Sequence, residues 1–413
     1  MRIAFYAPLK PPDHPVPSGD RRMARLLIAA MEQAGHEVEL ANRLRSRDGD
    51  GNPQRQARLA KIAKGRADRL LRRYAGLPDQ AVPDLWFTYH LYYKAPDHIG
   101  PRVAAGLGIP YVVAEASVAN KRAGGAWNEG HELTLAALQQ ATLVITLNPA
   151  DIDGLPDHKR VRLLRPFVDA GPYRAAANAR PRFRNALAAR HGLDPERPWL
   201  VAVAMMREGD KLESFRQLAL AMGRLMDLEW DLILVGDGPA RGEIALAFEP
   251  LDKGPSGKRV HLIGELDGDD VPGCLAASDI LVWPAVNEAY GMVFLEAQAA
   301  GLPVVAGRCG GVATVVAHGE SGLLTPVGDV AAFAGAVREL IVERSRRQTL
   351  ASLARARIRA NHTIDAASVM LDGYLQEALR LGPQPPAFLD IFGLAEDGSF
   401  DETGLGAELD EAP

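Results

Sequence analysis

Two glutamates near the C-terminal end of the chain could hold a polar ligand. Glu288 and Glu296 stand eight residues apart in the segment ILVWPAVNEAYGMVFLEAQAAGLPVVAG, residues 280–307. Glycoside hydrolases place two carboxyl groups roughly 5 to 9.5 Å apart across one bond, whereas eight residues of helix span about 12 Å. The spacing therefore indicates that the carboxylates hold different parts of one long ligand. A nucleotide sugar fits, because it is extended, with hydroxyls at both ends and charge in the middle. The alternative is a solvated loop glutamate beside a glutamate on a polar helix face.

The elements around this pair are predicted to be a strand, a loop, a helix and a second strand. Ile280–Trp283 is expected to be a buried strand that Pro284 stops, because proline lacks the N–H donor of a ladder. Helix formers fill 292–300 and end at Gly301, and the apolar run 303–306 follows. Such units build parallel sheets whose ligands lie at the carboxyl ends of the strands. The first glutamate is therefore expected in the loop at that end, and the second one to two turns into the helix.

Strands alternate with helical stretches along both halves of the chain, which predicts two doubly wound α/β domains. A length of 413 residues with 47% hydrophobic residues is sufficient for two cores. The predicted strands are 3–7, 37–40, 84–88, 111–114 and 143–147 in the first sheet, and 200–204, 232–235, 261–263, 280–283, 304–306 and 322–324 in the second. The hydrophobic periodicities of strands and of helices are both interrupted at Pro166, Gly171 and Pro172. This interruption places a first domain at 1–167, a hinge at 168–180 and a second domain at 181–364. Residues 382–413 are acidic and have few of the regularly spaced apolar residues that form a core, so they are expected to form a flexible tail.

Composition excludes several classes of protein. A net charge of −5 with 24% charged residues argues against a nucleic-acid partner. Cys274 and Cys309 have no ligand spacing and suggest buried thiols in a reducing compartment. The first strand is too short to be a signal peptide, and no run approaches the roughly 18 apolar residues of a membrane span. The expectation is a cytoplasmic protein, soluble or attached peripherally.

Several sequence blocks, taken in order, resemble the retaining glycosyltransferases of family 4. Residues 280–307 are similar to that family's E-x7-E segment, and the N-terminal MRIAFYAPLKPPDHPVPSGDRRMARLLIAAMEQAGHEVEL to its first strand, glycine loop and helix. The other similar blocks are AVAMMREGDK (202–211), LILVGDGPA (232–240), VHLIGELDGDDVPGCLAASDILVWP (260–284) and CGGVATVVAHGESGLLTPVGD (309–329). The resemblance covers residues 1 to about 375 and is sparse between 45 and 165. It implies the GT-B fold, with two Rossmann-like domains facing a cleft, and a helix at 365–381 that crosses back to the first domain.

The resemblance also implies roles for residues in the cleft. The N-terminal domain would face the acceptor and the C-terminal domain would bind the nucleotide sugar. Glu288 would contact hydroxyls of the donor sugar, and Glu296 would hold the ribose. The other donor-binding positions are the turn at Gly236 and the amides of Gly291, Met292 and Val293. Front-side attack, with the leaving phosphate taking the acceptor proton, would retain the anomeric configuration without a protein nucleophile.

The diphosphate of such a donor needs fixed cations and aimed N–H groups. Arg207 and Lys211 stand between a strand end and the next helix, where side chains and helix-terminal amides reach phosphate. Gly19 would let the backbone of the first domain approach the diphosphate from across the cleft. The alternatives are a solvated strand-helix turn for the basic pair and a simple turn former for the glycine.

One position departs from the family pattern. Members commonly carry a histidine near the sugar after the fourth or fifth strand of the first domain, whereas here the strand 111–114 ends in Glu115. Glu115 is a candidate to replace the hydrogen bond of that histidine, and His90 is a second candidate that could also be structural. Tyr92, Tyr93 and Lys94 follow it and could line the acceptor side.

A basic stretch and a metal-like pair have open interpretations. Apolar residues between 57 and 74 fall on one helical face and cations largely on the others, which predicts an amphipathic helix. It could contact an anionic membrane at the inner leaflet or a phosphorylated acceptor, or pack on the first domain and solvate its charges. Asp151-Ile-Asp153 has the Asp-x-Asp pattern of metal-dependent transferases but follows Pro149, so a cap or turn is expected and no metal or other cofactor is predicted.

The sequence thus predicts a retaining glycosyltransferase of the hexosyltransferase type. It would use a UDP- or GDP-sugar to extend a glycolipid, an envelope polysaccharide precursor or a small metabolite. Two alternatives stay open. One is a non-catalytic subunit that binds a nucleotide sugar, and the other is a nucleotide-sugar epimerase of the same fold, for which the basic stretch would have no role.

Overall fold

Two parallel six-stranded sheets, one in each half of the chain, form the framework of the protein. The computed structural model describes residues 1–16, 18–253, 257–267 and 270–386. The predicted acidic tail, 382–413, lies outside the described residues from position 387 onward.

The first sheet has the strand order β2-β1-β3-β4-β5-β6. Its strands are β1 Arg2–Tyr6, β2 Glu37–Asn42, β3 Leu85–Tyr92, β4 Tyr111–Ser117, β5 Leu143–Thr146 and β6 Val161–Leu163. The helices between them are α1 Gly19–Gln33, α2 Pro53–Ala75, α3 Gly100–Leu107 and α4 Asn128–Gln140. Strand β2 lies on one side of β1 and the later strands lie on the other, so the order reverses between β1 and β3. The carboxyl ends of these two strands are therefore where a ligand crevice is expected.

The second sheet has the order β12-β11-β10-β7-β8-β9, and its reversal lies between β7 and β10. Its strands are β7 Trp199–Val203, β8 Asp231–Val235, β9 Val260–Gly264, β10 Ile280–Trp283, β11 Val304–Gly307 and β12 Gly322–Thr325. The remaining helices are α5 Gly171–Asn178, α6 Arg180–His191, α7 Asp210–Gly223, α8 Arg241–Phe248, α9 Asp270–Ala277, α10 Met292–Ala300, α11 Val312–Val315, α12 Val330–Val342, α13 Arg344–Asn361 and α14 Ile364–Leu381. Short 3-10 helices occur at Asp79–Ala81, Asn120–Arg122, Pro149–Gly154, His158–Arg160 and Glu249–Lys253.

Helices cover both faces of each sheet, and the central strands are apolar as a result. All residues of β5, β8 and β10 are buried, as in parallel sheets that are covered on both sides. The second domain has one continuous core, whereas the core of the first domain is divided into a cluster on each face of the sheet.

Helix α14 follows the second domain in sequence but packs on the first. Leu371 and Leu375 are fully buried in the same cluster as Leu27 of α1. Tyr374 Oη donates to the Leu163 carbonyl of β6 over 2.9 Å. Helix α14 is thereby part of the N-terminal domain.

Several boundaries differ from the prediction. Strands β3 and β4 run past their predicted ends, so His90 and Glu115 lie inside strands and not after them. Both have positive φ, 64° and 58°, a conformation that hydrophobic periodicity does not reveal. Strand β6 was not predicted, because its three residues give too short a pattern.

The predicted hinge at 168–180 contains a helix. Gly171 and Pro172 open α5 because proline is tolerated in the first turn, where its missing N–H has no intrahelical partner. Proline was interpreted there as an interruption, whereas it marks the helix start.

The basic helix is α2, and it packs its apolar face on the first domain. Leu59, Ala63, Ala67, Leu70 and Tyr74 lie in the core cluster on that face of the sheet. Any contact of α2 with an anionic membrane would therefore use its exposed cations, and that contact stays a prediction. Among the described residues, no helix is long and apolar enough to cross a membrane.

Candidate active site

The predicted site residues of the second domain follow the two strands at which its sheet order reverses. Arg207 and Lys211 come after β7, and Glu288 comes after β10. Because ligands of doubly wound sheets lie at such a reversal, this topology places three predicted residues at one crevice. The equivalent position of the first sheet holds the loops after β1 and β3.

Glu288 is paired with Lys211. Lys211 Nζ lies 2.5 Å from Glu288 Oε2, and it also lies 5.4 Å from the centroid of the Trp283 ring. The indole N–H of Trp283 points to the same carboxylate oxygen at 3.4 Å. The side chain of Glu288 is 19% exposed, so the pair is reachable from the crevice. A cation and an anion side by side can bind hydroxyl and phosphate groups of one ligand.

Glu296 is buried and is paired with an arginine from the other domain. It lies inside α10 at 5% exposure, and Arg22 Nη1 of α1 donates to its Oε1. Arg22 Nη2 donates in turn to the Tyr173 hydroxyl of α5 over 2.6 Å. Burial raises the pKa of Glu296, and the charge and hydrogen bond of Arg22 only partly offset this. The two glutamates are thus paired with different cations, one from each domain.

The loop between the two glutamates is held in place by glycines. Gly291, with φ of 70°, precedes α10, and a Cβ there would lie 2.6 Å from the Phe294 ring. Met292 and Val293 occupy the first turn of α10, where backbone N–H groups have no intrahelical acceptor. These donors and the helix dipole make the start of α10 suitable for an anionic or hydroxyl-rich ligand.

A pair of adjacent glycines, Gly310 and Gly311, also packs against that loop. Gly310 has φ of 45°, and a Cβ there would lie 2.6 Å from the Glu288 carbonyl oxygen. Gly311 N donates to the Ala289 carbonyl, and a Cβ on Gly311 would lie 2.9 Å from Asn148 Oδ1 of the first domain. The Gly-Gly segment therefore lets the backbone of the Glu288 loop and the side chain of Asn148 approach it where a Cβ would not fit.

The remaining residues predicted to bind the donor differ in how tightly the surrounding protein packs against them. Arg207 is exposed in the loop after β7. Gly236 has φ of 136°, and a Cβ there would lie 2.0 Å from the Ala204 carbonyl oxygen. In contrast, a Cβ at Gly19 would meet no atom within 4 Å, so the packing within the protein does not require glycine at the start of α1.

His90 belongs to a charged cluster at the reversal of the first sheet. Its Nδ1 lies 3.3 Å from Asp20 Oδ1, and Asp20 also accepts from Lys10 Nζ. Burial raises the pKa of Asp20, but the hydrogen bonds and charges of His90 and Lys10 outweigh it, and the net pKa is well below its usual range. The cluster therefore keeps a carboxylate ionised at the edge of the cleft.

The pKa of Glu115 is shifted upward, in the opposite direction to that of Asp20. Burial raises its pKa to about 7, although the Leu147 N–H donates to Oε1 over 2.6 Å and the charge of His90 also lowers it. A carboxyl group with such a pKa can donate or accept a hydrogen bond near neutral pH.

Tyr93 and Lys94 belong to a cluster of rings and cations. Tyr93 packs edge-on against Trp127 with ring centroids 5.9 Å apart. Lys94 Nζ lies 4.7 Å above the Trp127 ring, and the Arg122 guanidinium lies 5.4 Å from it. Tyr92 packs on His90 with centroids 5.5 Å apart, so this predicted acceptor side is continuous with the charged cluster.

Sequence reasoning missed four residues of this site. These are Arg22, Tyr173, Asp20 and Trp283. Asp20 and Arg22 stand directly after the glycine loop, in GDRR. Because this loop was predicted to approach the diphosphate, the charges of these two residues could have marked them as part of the site. Tyr173 gave none, since its place depends on how α5 packs on α10 and on the hydrogen bond that Arg22 of the first domain donates to it. Among the described residues, no three His, Cys, Asp or Glu side chains form a group that could hold a metal ion.

Comparison with known proteins finds a family model that matches part of the second domain and relatives that match about half of the chain. Residues 197–343 match the model of a family described as "Glycosyl transferases group 1". A D-inositol 3-phosphate glycosyltransferase from Salinispora arenicola is 33% identical over 243 residues, which cover 55% of this chain and 52% of that protein. The chain spans about half the length of the curated relatives it matches.

Two solved structures share the fold over nearly the whole chain. Sucrose-phosphate synthase from Thermosynechococcus elongatus superposes with a TM-score of 0.67 at 20% identity, covering 92% of this chain and 99% of that one. Anabaena Alr3699/HepE in complex with UDP-glucose superposes with a TM-score of 0.65 at 17% identity, covering 91% of this chain and 100% of that one. These likenesses confirm the predicted GT-B fold of two Rossmann-like domains.

Proposed function

We propose that this protein is a glycosyltransferase that moves a sugar from a nucleotide-diphosphate sugar to a hydroxyl group. The match of residues 197–343 to the model of the glycosyl transferases group 1 family supports this proposal. One observation carries the proposal above the others. The two glutamates of α10 and its preceding loop both have a cationic partner at the crevice, Lys211 for Glu288 and Arg22 for Glu296. A ligand with hydroxyls at both ends and a diphosphate in its middle matches this alternation of charge.

Each part of the donor has a matching group. Glu296 holds the ribose hydroxyls, because a buried carboxylate accepts two hydrogen bonds from a diol. Lys211 and Arg207 neutralise the diphosphate, Arg with two donors in one plane and Lys as a point charge. Glu288 and the first amides of α10 hold the sugar, where positive charge develops as the glycosidic bond breaks.

The transfer retains the anomeric configuration and needs no metal. The acceptor hydroxyl attacks the face that the diphosphate leaves, and the departing phosphate oxygen takes the acceptor proton. Lys211, Arg207 and the N-terminus of α10 stabilise the charge that forms on that phosphate. Proton NMR of the first product would give its anomeric configuration, and an inverted product would overturn this part of the proposal.

The donor and the acceptor are proposed as classes. A UDP-sugar is favoured by likeness to the Anabaena protein, whose structure holds UDP-glucose, and a GDP-sugar is the second candidate. The acceptor is a small metabolite or a glycolipid-type hydroxyl, in keeping with the relative named for D-inositol 3-phosphate.

Donor hydrolysis tests the function without knowledge of the acceptor. The purified protein is incubated with a panel of UDP- and GDP-sugars, and release of free sugar and nucleotide is followed by liquid chromatography. One donor should be hydrolysed slowly, since water replaces the missing acceptor. Conversion of the donor into its epimer would indicate an epimerase, and binding without turnover of any donor would indicate a non-catalytic subunit.

A matched pair of variants ties hydrolysis to the crevice. Glu288→Gln keeps the size of the side chain and removes the charge that faces Lys211, so hydrolysis should fall by about 100-fold while donor affinity changes little. Glu339→Gln makes the same change at an exposed position of α12 and should leave the rate of hydrolysis unaltered. Equal rates in both variants would remove the proposed role of Glu288.

A further inference from the structure

A row of three arginines borders the reversal of the first sheet. Arg43, Arg45 and Arg47 are exposed, whereas the residues that alternate with them, Leu44 and Ser46, are buried. This alternation puts all three guanidinium groups on the solvent side of one segment.

The backbone fixes that segment beside the crevice. Ser46 N donates to the Pro8 carbonyl after β1, and Asp48 N donates to the Lys94 carbonyl after β3. The arginine row is therefore attached to the two loops at which a ligand of the first domain is expected.

A buried arginine, Arg21, lies close enough to the row for the charge of Arg45 to act on it. Arg21 is 4% exposed, and its Nη1 donates to the Val16 carbonyl over 2.7 Å. Its Nε has no hydrogen-bond partner among the described residues. Burial lowers the pKa of Arg21, the charges of Arg45 and Arg25 lower it further, and the charge of Asp20 opposes them only in part. Holding a guanidinium in this position is costly unless an anion is supplied.

The protein itself provides few anions for this cluster. Asp13 is paired with Arg43, and Asp20 is paired with Lys10. Among the described residues, Arg45 and Arg47 form no ion pair with a carboxylate. Arg47 lies near the Tyr92 hydroxyl, because it lowers the pKa of Tyr92 against the larger, opposing effect of burial. A simple solvated surface would account for the exposed pair but not for the buried guanidinium beside it.

We propose that Arg21, Arg45 and Arg47 bind a phosphate group that the acceptor carries. This rests on the proposed transferase function and names the acceptor class. Arginine binds two oxygens of a phosphate at once through parallel N–H donors. Tyr92 joins Arg47 to His90, and His90 joins Asp20 at the cleft edge, so a phosphate on the row places the rest of the acceptor toward the donor sugar. The phosphate belongs either to a water-soluble ester or to a lipid headgroup.

Binding of inorganic phosphate tests the site directly. Isothermal titration of the full chain should show saturable binding, and Arg45→Gln with Arg47→Gln should raise the dissociation constant at least tenfold. Arg344→Gln with Arg359→Gln removes the same charge from exposed positions of α13 and should leave it unchanged. Lys211→Gln is titrated alongside, because phosphate in the donor crevice would be lost in that variant alone. Wild-type affinity in the first double variant, or an equal loss in the control, would overturn the proposal.

Vesicles distinguish the two sources of the phosphate. Flotation is compared between phosphatidylcholine vesicles with and without phosphatidic acid, which carries a phosphate monoester. Flotation that needs phosphatidic acid and is lost in the Arg45 and Arg47 variant indicates a lipid-borne phosphate. Phosphate binding without such flotation indicates a water-soluble ester.

Donor hydrolysis separates this proposal from the transferase function. If wild-type protein binds phosphate at the row but hydrolyses no donor, the site stands and the function fails. If it hydrolyses a donor but binds phosphate only at the crevice, the function stands and this site is overturned.

Discussion

At the scale of residues, the pairing of Glu296 with Arg22 makes a direct prediction about nucleotide binding. Glu296→Gln keeps the volume of the buried side chain but replaces a carboxylate acceptor with an amide. Hydrogen bonds to a charged group contribute about 1.5–3 kcal/mol, so the affinity for the bound nucleotide should fall about tenfold or more. Titration calorimetry with UDP and GDP measures this.

The control for this prediction is again Glu339→Gln, which changes an exposed glutamate of α12. Its nucleotide affinity should equal that of the wild type. Unchanged affinity in Glu296→Gln would mean that this carboxylate does not hold the nucleotide, and its role would then be to join the domains through Arg22.

Glu115 predicts a pH dependence of stability. Burial raises its pKa from the usual 4.5 to about 7, so between these values the folded protein keeps a proton that the unfolded chain has released. The free energy of unfolding therefore falls as the pH rises through this window, by up to about 3 kcal/mol. Chemical denaturation at pH 5 and pH 8 should show this loss in the wild type and a smaller loss in Glu115→Gln, which has no proton to release. The same loss in both proteins would contradict the elevated pKa.

Residue types and spacing gave only part of the site. Glu288, Lys211 and Arg207 could be predicted because each follows a recognisable strand, and strand ends meet in a parallel sheet. Arg22 could not be matched to Glu296, since the two are separated by 274 positions and meet only through the arrangement of the domains. The roles assigned to all of the predicted site residues, the two glutamates and the basic pair included, stay predictions.

At the scale of elements, the boundaries that could be predicted were those marked by a proline or a glycine. Strand β10 and helix α10 have the predicted bounds, because Pro284 stops one and Gly301, with φ of 86°, caps the other. Strands β3 and β4 run on past His90 and Glu115, although both residues adopt left-handed backbone conformations within them. Such residues tend to occur at functional sites, where local rules are least informative.

The Gly-Gly segment predicts an effect transmitted to the Glu288 loop. Gly310→Ala adds a Cβ that would lie 2.6 Å from the Glu288 carbonyl oxygen at a φ of 45°, so the loop must shift. We expect donor hydrolysis to fall by more than tenfold and the melting temperature to drop. Gly335→Ala is the control, because this glycine lies within α12 with open space around it, and alanine there should stabilise the helix by up to about 1 kcal/mol. Retained activity in Gly310→Ala would show that the loop does not depend on this close approach.

At the scale of the whole molecule, the two sheets bring their reversal points to one cleft. Tyr290 and Met292, from the loop and first turn that carry the site, pack against the cores of both domains. Arg22 crosses the same boundary to reach Glu296. The site is therefore assembled from both domains, and the composition and periodicity that predicted two domains did not contain the contacts between them.

The crossing helix α14 makes the stability of the first domain depend on the end of the described chain. Leu375 is fully buried in the core of the first domain, so Leu375→Ala should cost about 2–5 kcal/mol. Hydrogen exchange should then speed up in the strands β1 to β6 and remain slow in β7 to β12, although Leu375 follows all twelve strands in sequence. Val369→Ala alters the same helix at a side chain that is 76% exposed, and its exchange should match the wild type. Faster exchange confined to the second domain, or spread equally over both, would show that α14 does not stabilise the first domain selectively.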